Sequence, residues 1–207
     1  MTEPRSRTLG VVLFPYFETL DVFGPLQMFG SAADRFDIVT VAEQTGPVAS
    51  TQGQSVVVDR DLEGCPPLDL LLIPGGLGTR QQVNSPGLLR WLGERASDSE
   101  LVMTVCTGAA LLARTGLLDG RRATTNKRAF SWVAEQGPRV QWVKKARWVE
   151  DGKFVTSAGV SAGIDMALAA IARLAGEQLS EELAAHAEYT RQDDPADDPF
   201  AEMNGLI

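Results

Sequence analysis

The chain has 207 residues, 44% of them hydrophobic, and 27 acidic against 19 basic side chains give it a net charge of −8. That is enough apolar material for one globular domain with its own core, with no run approaching the roughly 20 apolar residues of a membrane span. The acidic balance argues against a nucleic-acid surface, which needs a basic patch. Two separated cysteines without a CxxC pair, and a start at Met1–Arg7 with no apolar leader, predict a cytoplasmic protein without a disulfide framework.

Strand-like and helix-like segments alternate along the chain. Thr8–Phe14 is an apolar run stopped by Pro15, and Asp21–Ala32 follows as a helix carrying Pro25 in its first turns. Phe36–Ala42 is a second strand, and Pro47–Asp59 reads as a hairpin around Ser50-Thr51-Gln52-Gly53. Asp69–Ile73 is a buried strand halted by Pro74-Gly75-Gly76, and Pro86–Ala96 an amphipathic helix with Leu88, Leu89, Trp91 and Leu92 inward. Leu101–Val105 is the next strand, and a helix beginning at Thr107 follows at once after Cys106. Beyond it come a short strand at Arg121–Thr125, a short helix at Lys127–Glu135, and a hairpin of Val140–Val149 with Lys153–Thr156. Helices at Ser161–Ala175 and Ser180–Tyr189 complete a domain spanning 8–191. In the tail 192–207 the stretch Gln192–Phe200 is too acidic and proline-rich for regular structure, but Phe200, Met203, Leu206 and Ile207 predict that the tail docks on the surface. The alternation predicts an α/β single-domain three-layer sandwich, with a mostly parallel central sheet and helices on both faces.

The chemistry concentrates at Val105-Cys106-Thr107-Gly108. A strand ending in a cysteine that leads directly into a helix has the layout of a nucleophile elbow, with Thr104 and Gly108 keeping the turn uncrowded. The N-terminus of the helix is expected to lower the pKa of Cys106 and favour the thiolate. Cys65, in a Gly-Cys-Pro-Pro turn, is read as structural.

Other strand ends converge on the same region, because sites in parallel sheets form beyond the carboxyl ends of the strands. Gly75 and Gly76 have the freedom to bring backbone N–H groups to a developing anion, with the N–H of Thr107. Glu18 and Asp21 lie in the loop after the first strand. Asp21, hemmed by Leu20, Val22 and Phe23, is the preferred acid, since burial would keep it protonated and able to serve the sulfur without a histidine. The single histidine, His186, falls in a late helix and pairs with nothing near Cys106. No metal site or cofactor is predicted, because the ligand clusters they need are missing from the sequence.

Taken together, Leu20-Asp21-Val22-Phe23-Gly24-Pro25, Ile73-Pro74-Gly75-Gly76, Val105-Cys106-Thr107-Gly108 and Ser157-Ala158-Gly159-Val160 resemble the ThiJ/PfpI superfamily. Its fold is that of class I glutamine amidotransferase domains, and the resemblance runs from about Thr8 to Phe200. Within it, the threonine after the cysteine and the Leu-Asp-x-x-Gly-Pro context are most similar to isonitrile hydratases. The resemblance implies that Cys106 is the nucleophile, Asp21 its acidic partner and Thr107 a hydroxyl that orders the thiolate. It places Gly76 and Val160 around the pocket and implies a homodimer. Asn126 stands where such hydratases often carry a histidine. The activities implied are hydration of a small isonitrile, a glyoxalase- or deglycase-like reaction on reactive carbonyls, or sensing through an oxidisable Cys106.

Overall fold

The computed structural model describes residues 6–207, so most of the stretch Met1–Arg7 lies outside the described residues. The first half of the chain forms β1 (Arg7–Val12), α1 (Thr19–Gly30), β2 (Phe36–Ala42), β3 (Gly46–Ala49), β4 (Ser55–Val58), β5 (Arg60–Asp61), β6 (Leu70–Ile73), α2 (Thr79–Gln82) and α3 (Pro86–Asp98). Then come β7 (Leu101–Thr104), α4 (Gly108–Arg114), β8 (Arg122–Ala123), α5 (Phe130–Gln136), β9 (Gln141–Trp142), β10 (Trp148–Asp151), β11 (Phe154–Ser157), α6 (Ala162–Ala175), α7 (Glu177–His186) and α8 (Phe200–Met203).

Seven strands form the central sheet in the order β10-β11-β7-β6-β1-β2-β5, parallel throughout except for β10 on β11. Every residue of β6, β7 and β11 is buried, as expected of strands covered on both faces. α1 packs on α6 and α6 on α7, while α2, α3 and α5 gather on α4. The result is the three-layer α/β sandwich. The helix boundaries obey local chemistry: Ser85 accepts the Leu88 N–H and Pro86 opens α3, where its missing N–H costs nothing.

Two expectations need correction. Val140–Val149 is not one strand. β9 pairs with β8 in a separate small sheet and β10 with β11, because the charged stretch between them is drawn elsewhere, with the Arg147 N–H bonded to Pro195 O at 2.7 Å. Leu89 is only partly buried, whereas Ala96 completes the inner face of α3. Residues 192–199 have no helix or strand, and the single turn α8 starts at Phe200, whose N–H is accepted by Asp198 at 3.0 Å. Asp165 reaches well beyond its own helix. Buried in α6, it pairs with Arg147 at 2.5 Å and accepts from Tyr189 Oη and the Gln192 N–H, both at 3.0 Å.

β1, β6, β7 and β11 are adjacent and parallel, so the loops after them open at one end of the sheet. The chain runs outward from β1 to β2 and returns to β6 on the opposite side of β1. This reversal leaves a crevice between β1 and β6, where parallel sheets build their sites.

Candidate active site

The turn from β7 into α4 places Cys106 at φ 56°, a left-handed conformation that costs a non-glycine residue roughly 1–3 kcal/mol. The surroundings hold it there. Cys106 N–H bonds Ala158 O at 3.2 Å, and its carbonyl accepts from Thr125 Oγ1 at 2.7 Å. Gly108 makes the bend possible, because a Cβ there would run into the carbonyl of Ile73 and lie 2.7 Å from that of Pro74. This is the strained strand-to-helix turn of a nucleophile elbow.

Asp21 lies in the first turn of α1 and is fully buried. Its Oδ2 accepts the Gly75 N–H at 2.8 Å, and its Oδ1 receives no N–H or O–H bond. Burial holds the carboxyl well above the ordinary carboxylate range, and the charge of Glu18 adds to this; the Gly75 N–H and a hydrogen bond with Cys106 act the other way. A proton on Asp21 removes a buried charge and gives the unpartnered oxygen a donor role. Burial thus favours the protonated form of this acid.

The thiol departs from expectation. Burial of Cys106, which is 7% exposed, pushes its pKa well above that of a free cysteine, and the neighbouring Asp21 raises it further. Bonds from the Thr107 N–H and hydroxyl pull it down without reversing the balance. A seven-residue helix does not compensate for desolvation on this scale. Burial thus works against the thiolate that the helix N-terminus was expected to favour.

Thr107 connects the elbow to the glycine loop. Its Oγ1 accepts from the Gly76 N–H and from Thr79 Oγ1, both at 3.1 Å, and donates to Gly76 O at 3.3 Å. The N–H groups of Gly75 and Gly76, read from sequence as an oxyanion hole, are thus held by Asp21 and Thr107 in this state. Both glycines are required for another reason. A Cβ on Gly75 would sit 2.6 Å from Thr107 N and 2.8 Å from Asp21 Oδ2, and one on Gly76 would meet Glu18 N at 2.5 Å.

Glu18 accepts from Gln52 Nε2 at 2.5 Å, while Gln52 Oε1 accepts from Thr19 Oγ1 at 2.7 Å, and the charge of Glu18 adds to the rise of the Cys106 pKa. The β3–β4 hairpin thereby fixes the loop that carries Asp21. Val160 and Asn126 border a neighbouring cleft of about 330 Å³, and Asn126 accepts the Ala129 N–H at 3.0 Å. His186 is exposed at the end of α7, and both cysteines are free. Sequence reasoning missed Thr79, Gln52 and Thr125, whose parts depend on contacts between distant loops. Lys127 also went unread, although it is buried beside the same cleft.

The model of the DJ-1/PfpI family matches residues 7–173. The chain belongs to this family. It is 32% identical over 181 residues to the isonitrile hydratase of Pseudomonas putida, covering 87% of this chain and 78% of that protein. It is 34% identical over 179 residues to the HTH-type transcriptional regulator CdhR of Pseudomonas aeruginosa, covering 84% of this chain but only 53% of the regulator. Among solved structures, a ThiJ/PfpI family protein from Pseudomonas syringae superposes with a TM-score of 0.84 at 30% identity, covering 96% of this chain and 79% of that one. The DJ-1/PfpI family thus includes proteins named as an enzyme and as a regulator. Among the described residues no helix is long and apolar enough to cross a membrane, and no group of three His, Cys, Asp or Glu side chains is placed to hold a metal ion.

Proposed function

We propose that this DJ-1/PfpI family member hydrates a small isonitrile to an N-substituted formamide, with Cys106 as nucleophile and Asp21 as its proton partner. The observation that carries the reading is the fully buried Asp21 carboxyl, whose burial favours the protonated form, interacting with a cysteine at an elbow that lacks a histidine. The likeness to the isonitrile hydratase supports it.

An isonitrile carbon needs a nucleophile and a proton on the same atom. As the sulfur attacks, Asp21 delivers its proton to that carbon and takes up the proton of the thiol. A C–S and a C–H bond form, and the S–H bond breaks, leaving the thioimidate R–N=CH–S–Cys106. Water then adds to the C=N bond. Collapse of the tetrahedral adduct breaks the C–S bond, releases R–NH–CHO and returns the thiol. Thr107 orients the sulfur through its N–H and hydroxyl, while Gly75 holds Asp21 in place. Neither step requires a metal or an organic cofactor. The homodimer implied by the family resemblance belongs to the same reading, and sedimentation tests it.

Incubation of the protein with an alkyl or aryl isonitrile is expected to produce the formamide, and Cys106→Ala to abolish it. Turnover that survives the substitution overturns the mechanism.

A second reading is favoured by the 34% identity to a transcriptional regulator: the same pocket binds a small ligand or records oxidation without turnover. A stable gain of about 32 mass units on Cys106 after mild peroxide, with no formamide from any isonitrile, supports this reading.

A further inference from the structure

Lys127 is 4% exposed, unusual for a lysine unless it is fully paired. Its Nζ lies 2.7 Å from Thr124 Oγ1, 2.7 Å from Ala146 O and 3.1 Å from Thr125 O, and pairs at 3.1 Å with the fully buried Asp198. Burial draws the Lys127 pKa down and the Asp198 carboxylate offsets this. The ion pair therefore ties the Thr124–Thr125 segment, which braces the elbow, to a tail more than 70 residues further along the chain. A second tie lies close by, where Asp165 holds Arg147 and Arg147 N–H holds Pro195 O.

Asp198 also organises the start of the last helix. By accepting the Phe200 N–H it begins α8, which places Phe200 and Asn204 on the wall of the 330 Å³ cleft. Leu20, Val160 and Asn126 also line this cleft. Neither Asp21 nor Cys106 lines it, but residues next to each of them do. Leu20 precedes Asp21, and Ala158, also in the lining, accepts the Cys106 N–H. Charge in the lining is confined to Arg128, which is exposed, and to the Lys127–Asp198 pair, in which the two charges oppose each other.

We propose that the segment 198–204 roofs the cleft that receives the substituent of the substrate, and that the Lys127–Asp198 pair is the positioning device that sets where Phe200 stands. The cleft takes an uncharged alkyl or aryl group, because Leu20, Val160 and Phe200 offer it apolar surface and no unpaired buried charge. This rests on Cys106 being the reactive group. A roof of this kind governs the size of what reaches the sulfur, not the chemistry at the sulfur.

The test uses the full chain with Cys65→Ser, so that Cys106 is the only thiol. Alkylation of Cys106 by iodoacetamide and by a bulky N-aryl iodoacetamide is monitored by peptide mass, and the ratio of the two rates is the readout. Phe200→Ala is expected to raise the bulky-to-compact ratio about ten-fold and Phe200→Trp to lower it by a similar factor, the scale on which an apolar pocket discriminates. Asp198→Asn and Lys127→Met, which release the roof, are expected to shift the ratio in the direction of Phe200→Ala. With isonitriles of graded size, the same variants are expected to shift KM more than kcat. A ratio unchanged in both Phe200 variants overturns the proposal, and that result stands even if the ion-pair variants fail to fold. If the ratio moves but no isonitrile is hydrated, the roof holds and the hydratase reading fails. If hydration occurs and the ratio is fixed, the reverse is true.

Discussion

The Asp21 carboxyl is held by the Gly75 N–H at 2.8 Å, and this bond sets the acid of the site against the cysteine. It joins the loop after β6 to the first turn of α1, two elements separated by more than 50 residues. Gly75 must be glycine for the bond to exist, because a methyl group there would meet Asp21 Oδ2, Thr107 N and Thr107 Oγ1 within 2.8 Å. Gly75→Ala is therefore expected to destabilise the fold by about 1–3 kcal/mol, as overpacking does. It is also expected to lower kcat/KM about a hundred-fold through displacement of the acid. Thermal unfolding and steady-state kinetics measure both effects.

Asp21→Asn keeps an acceptor for the Gly75 N–H and removes the acid. Because burial raises the pKa of Asp21 in the fold, its contribution to stability is fully present below the unfolded value of about 4 and is lost as pH rises through the folded one. The variant has no such loss. It is expected to match the wild type near pH 4 and to exceed it at neutral pH by about 1–2 kcal/mol, a size common for relief of a strained functional site. Activity falls about 10²–10⁴-fold if Asp21 moves the proton. Denaturant titrations across pH, paired with turnover assays, check the sign.

Thr107→Val removes the acceptor of the Gly76 N–H and the partner of Thr79. Leaving these groups unsatisfied is expected to cost about 1–3 kcal/mol. The Thr107 hydroxyl also pulls the thiol pKa down, so the variant is expected to alkylate more slowly at a given pH, and Thr107→Ser to restore most of the rate. Peptide mass spectrometry of iodoacetamide-treated protein reads this directly.

The sequence made the elbow legible because its signals are local: an apolar strand, a cysteine, then Thr107-Gly108. The sheet was legible for the same reason, since its buried strands are short apolar runs, β1 and β6 closed by proline and β7 by the elbow cysteine. The protonation state of Cys106 was not legible. It depends on burial under Asp21 and the β11 loop, which lie 85 residues before and about 52 after it in the chain. The short helix in the tail was missed although Asp198-Pro199 is a local start signal, because a single turn of four residues is too short to show a helical period. Val140–Val149 misled because its period fits a strand, while the partners of its two ends lie in different sheets.

Two pH profiles are expected to diverge. Alkylation needs the free thiolate, and burial raises the Cys106 pKa well above 9, so its rate is expected to climb about ten-fold per pH unit to at least pH 9. Hydration needs the proton of Asp21, so kcat/KM is expected to fall as that proton is lost with rising pH. Parallel profiles would mean that a resting thiolate does the chemistry.

The most direct test of the account is acid-quenched mass spectrometry of the Cys106 peptide during turnover of an alkyl isonitrile. Addition of S–H across the isonitrile carbon predicts a gain equal to the full mass of the isonitrile. The gain is confined to Cys106, disappears as substrate is exhausted, and persists longer when water attack is slowed. Formamide accumulating while the Cys106 peptide stays unmodified at every quench time, with another residue carrying the adduct or none, would contradict it.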